Sequence, residues 1–255
     1  MKFPFYIALG SGKILWHTIF ETLGLFIGFR YFIFLRNKQK DPIISPNRIW
    51  ILIGAIFGAL IGSRLVGALE DPVQLAHAKN TALYIYSNKT VVGGFIGGLL
   101  SVELVKKIIH EKNSSGDLFT FPMILGLIIG RIGCFSMGIY EETYGNVTTS
   151  FTGMNLGDGL LRHPVALYEI FFLIALWIGL AKVESKLSLV NGAKFKLFMI
   201  SYMLFRFMLD FIKPHYTFNF GLSTIQITCV LCLLYYAGTI LNPKQLIAKK
   251  LQPHA

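Results

Sequence analysis

Long apolar runs, separated by short polar and basic stretches, set the pattern of this chain. Seven runs approach the roughly 20 residues that a helix needs to cross a bilayer core. They cover 16–35, 49–69, 91–109, 119–135, 164–182, 195–212 and 222–241, the fourth being the shortest. The pattern predicts an all-α, polytopic membrane protein: seven transmembrane helices in a single transmembrane domain over 1–255. Pro164 is expected at the first turn of the fifth helix, where a missing amide donor is harmless. Pro122 is expected near the start of the fourth, and Pro214 after the sixth. Two connections are long. Residues 70–89 have room for a short surface helix, and the loop 136–163 is rich in Gly, Thr and Asn. Long loops of this kind are usually functional.

Composition agrees. Hydrophobic types make up 54% of the 255 residues and charged types 15%, with a mean hydropathy of +0.59; ordinary globular domains are about one quarter charged. That balance excludes a disordered chain, a coiled coil and a disulfide scaffold. Cys134, Cys229 and Cys232 lie in apolar runs and read as small buried residues. No metal-ligand spacing is present, so neither a metal nor a cofactor is expected.

The formal charge of +11 invites a nucleic-acid reading, but its distribution gives another. Fourteen basic residues fall on one side of the alternating runs: Arg36, Lys38, Lys40, Arg48, Lys106, Lys107, Lys112, Lys182, Lys186, Lys194, Lys196, Lys244, Lys249 and Lys250. Against Asp41, Glu111, Asp117 and Glu184 that side carries +10. The other side, with Lys2, Lys13, Lys79, Lys89, Arg162 and Lys213 against Glu70, Asp71, Glu141, Glu142 and Asp158, carries +1. Positive charge collects on the cytoplasmic face of membrane proteins, so the N-terminus is expected outside and the C-terminus in the cytoplasm. Residues 1–10 lack the layout of a cleavable signal, and the first run is expected to act as an uncleaved anchor. The partner implied is a membrane, with no nucleic acid.

The runs themselves hold Arg30, Arg64, Arg131 and Arg206 with Glu21, Glu103, Glu169 and Asp210. Each is unfavourable at mid-bilayer by about 2.5–3.5 kcal/mol, so each needs a partner or water. Arg206 and Asp210 are four apart and are expected to pair along their helix. Glu103 is expected to pair with Lys106 or Lys107. Arg131 has no acid within a turn. A buried guanidinium fork suits a phosphate, and at membrane depth the available phosphate belongs to a lipid. The charges thus suggest phospholipid handling. Gly54, Gly58 and Gly62, and Gly126 with Gly130, follow small-residue spacing for close helix packing; Gly93, Gly94, Gly97 and Gly98 leave one face nearly bare.

The stretch Gly130-Arg131-Ile132-Gly133-Cys134-Phe135, continuing to Glu142-Thr143-Tyr144-Gly145, resembles the signature of prolipoprotein diacylglyceryl transferases, Gly-Arg-x-Gly-Asn-Phe followed by Glu-x-x-Gly. Other marks follow in order. Gly62-Ser63-Arg64 is similar to the family's Gly-Gly-Arg, and Gly93-Gly94 to its His-Gly-Gly. His163-Pro164-Val165-Ala166-Leu167-Tyr168-Glu169 is similar to its His-Pro-Ser-Gln-Leu-Tyr-Glu. Phe205-Arg206-Phe207 with Asp210 resembles its Phe-Arg-Phe and following Glu, and Gln226 the Gln opening the last span.

The resemblance implies a multi-pass enzyme of the bacterial cytoplasmic (inner) membrane. Its substrates would be phosphatidylglycerol and the lipobox cysteine of a preprolipoprotein signal peptide, with glycerol-1-phosphate leaving. It implies a catalytic set of Arg131, Arg206, Glu142 and His163, the arginines handling phosphate. The implied substrate-binding set is Glu21, Arg64, Gly93, Gly94, Cys134, Gly145, Tyr168, Glu169, Asp210 and Gln226. The chain departs from the family at four points: Val92 replaces the His before Gly-Gly, Cys134 replaces the Asn, the loop between Gly138 and Glu142 is about three residues longer, and Glu21 stands where the family carries a Tyr near the start of the first span. Val92 accepts no proton, and Glu21 and His163 are the candidates to take its place. A phospholipid-dependent transferase with another acceptor, or a non-catalytic phospholipid-binding protein, would keep the same arginines.

Overall fold

A computed structural model describes residues 3–9, 12–39 and 41–248 of the chain. Lys2, Lys40, Lys249 and Lys250 of the charge tally lie outside the described residues. The protein is mostly helical. After a hairpin of β1 (Tyr6–Leu9) and β2 (Gly12–Leu15) come α1 (Trp16–Lys38), α2 (Ser45–Ala68), α3 (Pro72–His77), α4 (Thr81–Ser87) and α5 (Val91–Ile108). There follow α6 (Asp117–Met137), a second hairpin of β3 (Met154–Asn155) and β4 (Leu161–Arg162), α7 (Val165–Lys186), α8 (Ala193–Asp210), α9 (Thr224–Tyr235) and α10 (Ala237–Leu241).

Among the described residues, four helices are long and apolar enough to cross a membrane: Trp16–Lys38, Ser45–Ala68, Asp117–Tyr140 and Val165–Lys186. The α5 helix carries Glu103, Lys106 and Lys107, and α8 carries Lys194, Lys196, Arg206 and Asp210, so neither is uniformly apolar. The seventh run is not one helix: it breaks at Tyr236, between α9 and α10. The sixth helix ends at Asp210, and Pro164 stands one residue ahead of α7 as its N-cap. Pro122 lies in the second turn of α6. Among the described residues the fold is therefore helical with two short antiparallel strand pairs, rather than wholly α.

Glycine decides how the helices meet. The α2 helix packs along α5, and α1 along α6. A Cβ on Gly97 would strike the Gly58 carbonyl and come within 2.8 Å of the Gly62 Cα; one on Gly24 would lie 2.7 Å from the Gly126 carbonyl. Bare faces thus let backbones touch, the packing available where lipid removes the hydrophobic drive between helices. The core lies around α8: Phe198, Met199, Tyr202 and Met203 are fully buried, against Val92 of α5, Ile124 of α6, Leu173 of α7 and Cys229 of α9. By contrast α1 and α2 expose Phe26, Phe57 and Ile61, none of which lines the interior, as lipid-facing helices do.

The connection from α1 to α2 is held by charge. Arg48, 1% exposed, donates from Nε to Asp41 Oδ2 at 2.8 Å, and Arg36 Nε reaches the same oxygen at 3.1 Å. Burial opposes ionisation of Asp41. The Arg48 hydrogen bonds, the Ile43 amide and the charges of both arginines outweigh it and hold the carboxyl below the usual range.

Candidate active site

Three helices converge on one carboxylate. Glu169 of α7 is 1% exposed. Its Oε2 accepts from Arg206 Nη1 of α8 at 3.1 Å and lies 2.9 Å from Arg131 Nε of α6; its Oε1 accepts from the Tyr202 hydroxyl at 2.7 Å. The Arg131 contact is close but off the hydrogen-bond axis. Arg131 Nε and Arg206 Nε have no hydrogen-bond partner among the described residues. Two guanidinium groups against one carboxylate leave a local surplus of one positive charge and unused donors, a combination that invites an anion. The expected pairing of Arg206 with Asp210 is not what forms: Arg206 turns to Glu169. Asp210 accepts from Ser223 Oγ and lies 3.6 Å from His215 Nδ1. The competing partners come from other segments, which helix spacing cannot reveal. Glu103 does meet Lys106, at 3.2 Å.

This cluster opens into a cavity of about 1440 Å³ between the α1–α6 and α2–α5 pairs. One end is polar, with Glu21, Arg64, Lys89, Arg131, Glu142, Glu169 and Arg206. Much of the wall is apolar, with Leu25, Phe29, Phe32, Leu52, Ile56, Leu60, Leu99 and Leu127, and it reaches Lys196 and Thr239. A lining of charged and apolar side chains together suits an amphipathic ligand. Glu70 and Lys213 also line it. Burial pushes the Glu70 carboxyl up, against the pull of Lys213 and Arg206. Burial pushes the Lys213 ammonium down, assisted by Arg206 and opposed by Glu70.

A second cluster sits at the polar end. His17 Nε2 lies 3.4 Å from Glu21 Oε2, and Glu21 Oε1 accepts from Lys89 Nζ at 2.6 Å. The other nitrogen, Nδ1, lies 3.1 Å from Glu141 Oε2. Cys134, one turn from Arg131, receives Arg131 Nη1 at 3.4 Å from its sulfur. His17, Cys134 and Glu141 each offer a ligand atom within 4.8 Å of the others, a set among the described residues able to hold a metal ion.

Of the residues singled out in the sequence, Glu21, Arg64, Gly94, Cys134, Arg131, Glu142, Glu169 and Arg206 line the cavity. Arg64 stacks over Tyr86 at 4.9 Å. Six others lie behind the cavity wall. Gly93 packs against the Gly62 carbonyl, and Gly145 sits so close to His163 that a Cβ would approach it to 2.6 Å. His163 Nδ1 meets the Tyr168 hydroxyl at 3.0 Å, which in turn meets Thr152 Oγ1 at 2.6 Å, tying the loop 136–163 to α7. Asp210 is engaged as described. Gln226 Oε1 accepts from the Ser223 amide at 2.9 Å in a capping box that starts α9.

Tyr202, His17 and Glu141 were not singled out. Tyr202 and His17 are each four residues before a residue that was, Arg206 and Glu21, so helix periodicity places them on the same faces. Glu141 gives no such signal, since only the folded loop carries it to His17.

A sequence-family model described as prolipoprotein diacylglyceryl transferase matches residues 4–241. Among curated proteins, the phosphatidylglycerol–prolipoprotein diacylglyceryl transferase of Wolbachia pipientis subsp. Culex pipiens is 31% identical, covering 93% of this chain and 95% of its own length. The enzyme of the same name from Rickettsia felis is 29% identical over 94% of this chain and 97% of its own. That from Campylobacter hominis is 28% identical over 91% and 87%. With a match from the first hairpin to α10, the chain belongs to the prolipoprotein diacylglyceryl transferase family.

Proposed function

We propose that this protein transfers the diacylglyceryl group of phosphatidylglycerol to the thiol of a prolipoprotein lipobox cysteine, releasing glycerol-1-phosphate. The observation that carries the proposal is the pairing of Arg131 and Arg206 over Glu169 at the charged end of a long, largely apolar cavity. Acyl chains run along the apolar walls while the headgroup phosphate meets the two guanidinium groups. Negative charge grows on the departing glycerol phosphate, and preorganised cations there stabilise the transition state more than the substrate. Glu169 and Tyr202 fix the arginine geometry. Glu142, at the rim, contacts the glycerol headgroup, and Arg64 borders the same end. Asp210, Gln226, Gly93 and Gly145 act as positioning residues through packing and capping. His163 and Tyr168 hold the outer loop over the cavity mouth.

The protein in this reading crosses the bacterial inner membrane seven times, with the charged cavity end toward the outer face, where a lipobox cysteine arrives. The test is genetic. Expressed in a bacterium depleted of its own transferase, this chain should restore growth and Arg131→Ala should not. Failure of a well-expressed wild-type chain to restore growth, with no lipid-modified prolipoprotein formed, contradicts the proposal.

A further inference from the structure

A thiol attacks carbon as its thiolate, and a free thiol with a pKa near about 8.5 is mostly protonated at neutral pH. The position of the family's histidine holds Val92, which is fully buried and accepts no proton. His163 is bonded to Tyr168 behind the cavity wall. The question of what deprotonates the acceptor leads to the second cluster.

We propose that His17, Cys134 and Glu141 bind a zinc-class divalent cation, and that this cation binds and activates the acceptor thiol; the second half rests on the transferase reading. The donor set is a thiolate, an imidazole and a carboxylate, the set zinc uses. Their ligand atoms lie within 4.8 Å of one another, and side-chain rotation closes that to the roughly 3.3–3.8 Å between ligands of a tetrahedral zinc. His17 Nδ1 and Glu141 Oε2 are both buried and stand 3.1 Å apart. Neither has a hydrogen-bond partner among the described residues; a cation between them engages both. The opposite ring nitrogen faces Glu21, itself held by Lys89, which is how an outer carboxylate orients a metal-binding histidine. Three protein ligands on a cavity wall leave a fourth position open to the cavity, the layout of a reactive zinc rather than a structural one.

The chain's own departures point the same way. Cys134 stands where the family motif has Asn, and Glu141 lies in the lengthened stretch after Gly138. Two ligands are thus gained where a proton acceptor is lost at Val92. A metal needs no strong base beside it, because a coordinated thiol gives up its proton outright. The step balances. The S–H bond breaks, its proton passing to solvent at the polar end of the cavity, and the sulfur keeps the electron pair as a metal-bound thiolate. That pair then forms the S–C bond as the C–O bond to phosphate breaks, the C–O electrons leaving on glycerol phosphate beside Arg131.

The test uses the full chain in detergent, stripped with a chelator and reloaded with Zn²⁺ or Co²⁺. The expected result is about one metal per chain, with a thiolate-to-cobalt charge-transfer band in the cobalt form. Cys134→Ser should abolish the band, and His17→Ala and Glu141→Ala should each weaken binding by about 10-fold or more. Glu103→Gln, remote from the cluster, should bind as wild type. Transfer from phosphatidylglycerol to a lipobox peptide should drop at least about 10-fold on stripping and return with Zn²⁺. Absence of bound metal at micromolar Zn²⁺ overturns the site. Stoichiometric metal with transfer indifferent to its removal overturns thiol activation. Stoichiometric metal with transfer in neither form leaves the site standing and contradicts the transferase reading instead.

Discussion

Glu169 shows how one residue organises a site. A single carboxylate, nearly inaccessible, answers two guanidinium groups and a phenol from two other helices. Removing one partner of such a buried set leaves charge uncompensated, at a cost of about 3–5 kcal/mol. Glu169→Gln should therefore lower the melting temperature in detergent and splay both arginines. Arg131→Lys keeps the charge but loses the planar fork. Its transfer rate should fall by about 10²-fold, the scale of losing one preorganised donor, and a rate within about 2-fold of wild type contradicts the assignment. These charges were legible in the sequence because charges in apolar runs are conspicuous; their pairing was not. Spacing along one helix suggested Arg206 with Asp210. The fold instead offers Ser223 and His215 to Asp210 and Glu169 to Arg206.

At the scale of elements, glycine seams and one charged connection carry the architecture. A side chain at Gly97 has backbone in its way on α2, whereas one at Gly179 of α7 has nothing within 4 Å. Gly97→Val should destabilise by at least about 1–3 kcal/mol. Gly179→Ala should be neutral or gain up to about 1 kcal/mol of helix propensity; equal melting temperatures for the two variants contradict the seam. The α1–α2 connection carries a pH dependence. Asp41 ionises more easily in the folded protein than in the unfolded chain. Its contribution is therefore complete above the ordinary carboxylate pKa of about 3.9 and is lost as pH falls through the lower folded value. Melting temperature should drop on acidification from about pH 5 to about pH 2. Asp41→Asn, which leaves Arg48 without its counter-charge, should lower stability at neutral pH and flatten that slope. Helix positions were readable from apolar runs, since each run must bury its backbone bonds within a helix. The two hairpins were not, because their strands are only two to four residues long, too short to show an alternating pattern; nor was the break at Tyr236, which lies inside a continuous apolar run.

At the scale of the whole molecule, the uneven placement of basic residues supports an outside N-terminus and a cytoplasmic C-terminus. A fluorescent protein fused after Ala255 should glow, and alkaline phosphatase at the same place should be inactive; the reverse pattern contradicts the seven-span reading. The net charge of +11 then belongs to topology, while chemistry belongs to the cancelling charges within the bundle. The cavity was invisible to the sequence because its walls come from helices far apart in the chain. So was the meeting of His17, Cys134 and Glu141. If Arg131 and Arg206 drive diacylglyceryl transfer from phosphatidylglycerol to a thiol, both products of that transfer depend on them. The direct measurement incubates purified, zinc-replete protein with phosphatidylglycerol labelled in its acyl chains and a lipobox peptide. Labelled peptide and an equal amount of glycerol phosphate should appear, and Arg131→Ala should abolish both. An unlabelled peptide, or equal labelling by the Arg131→Ala protein, contradicts the account.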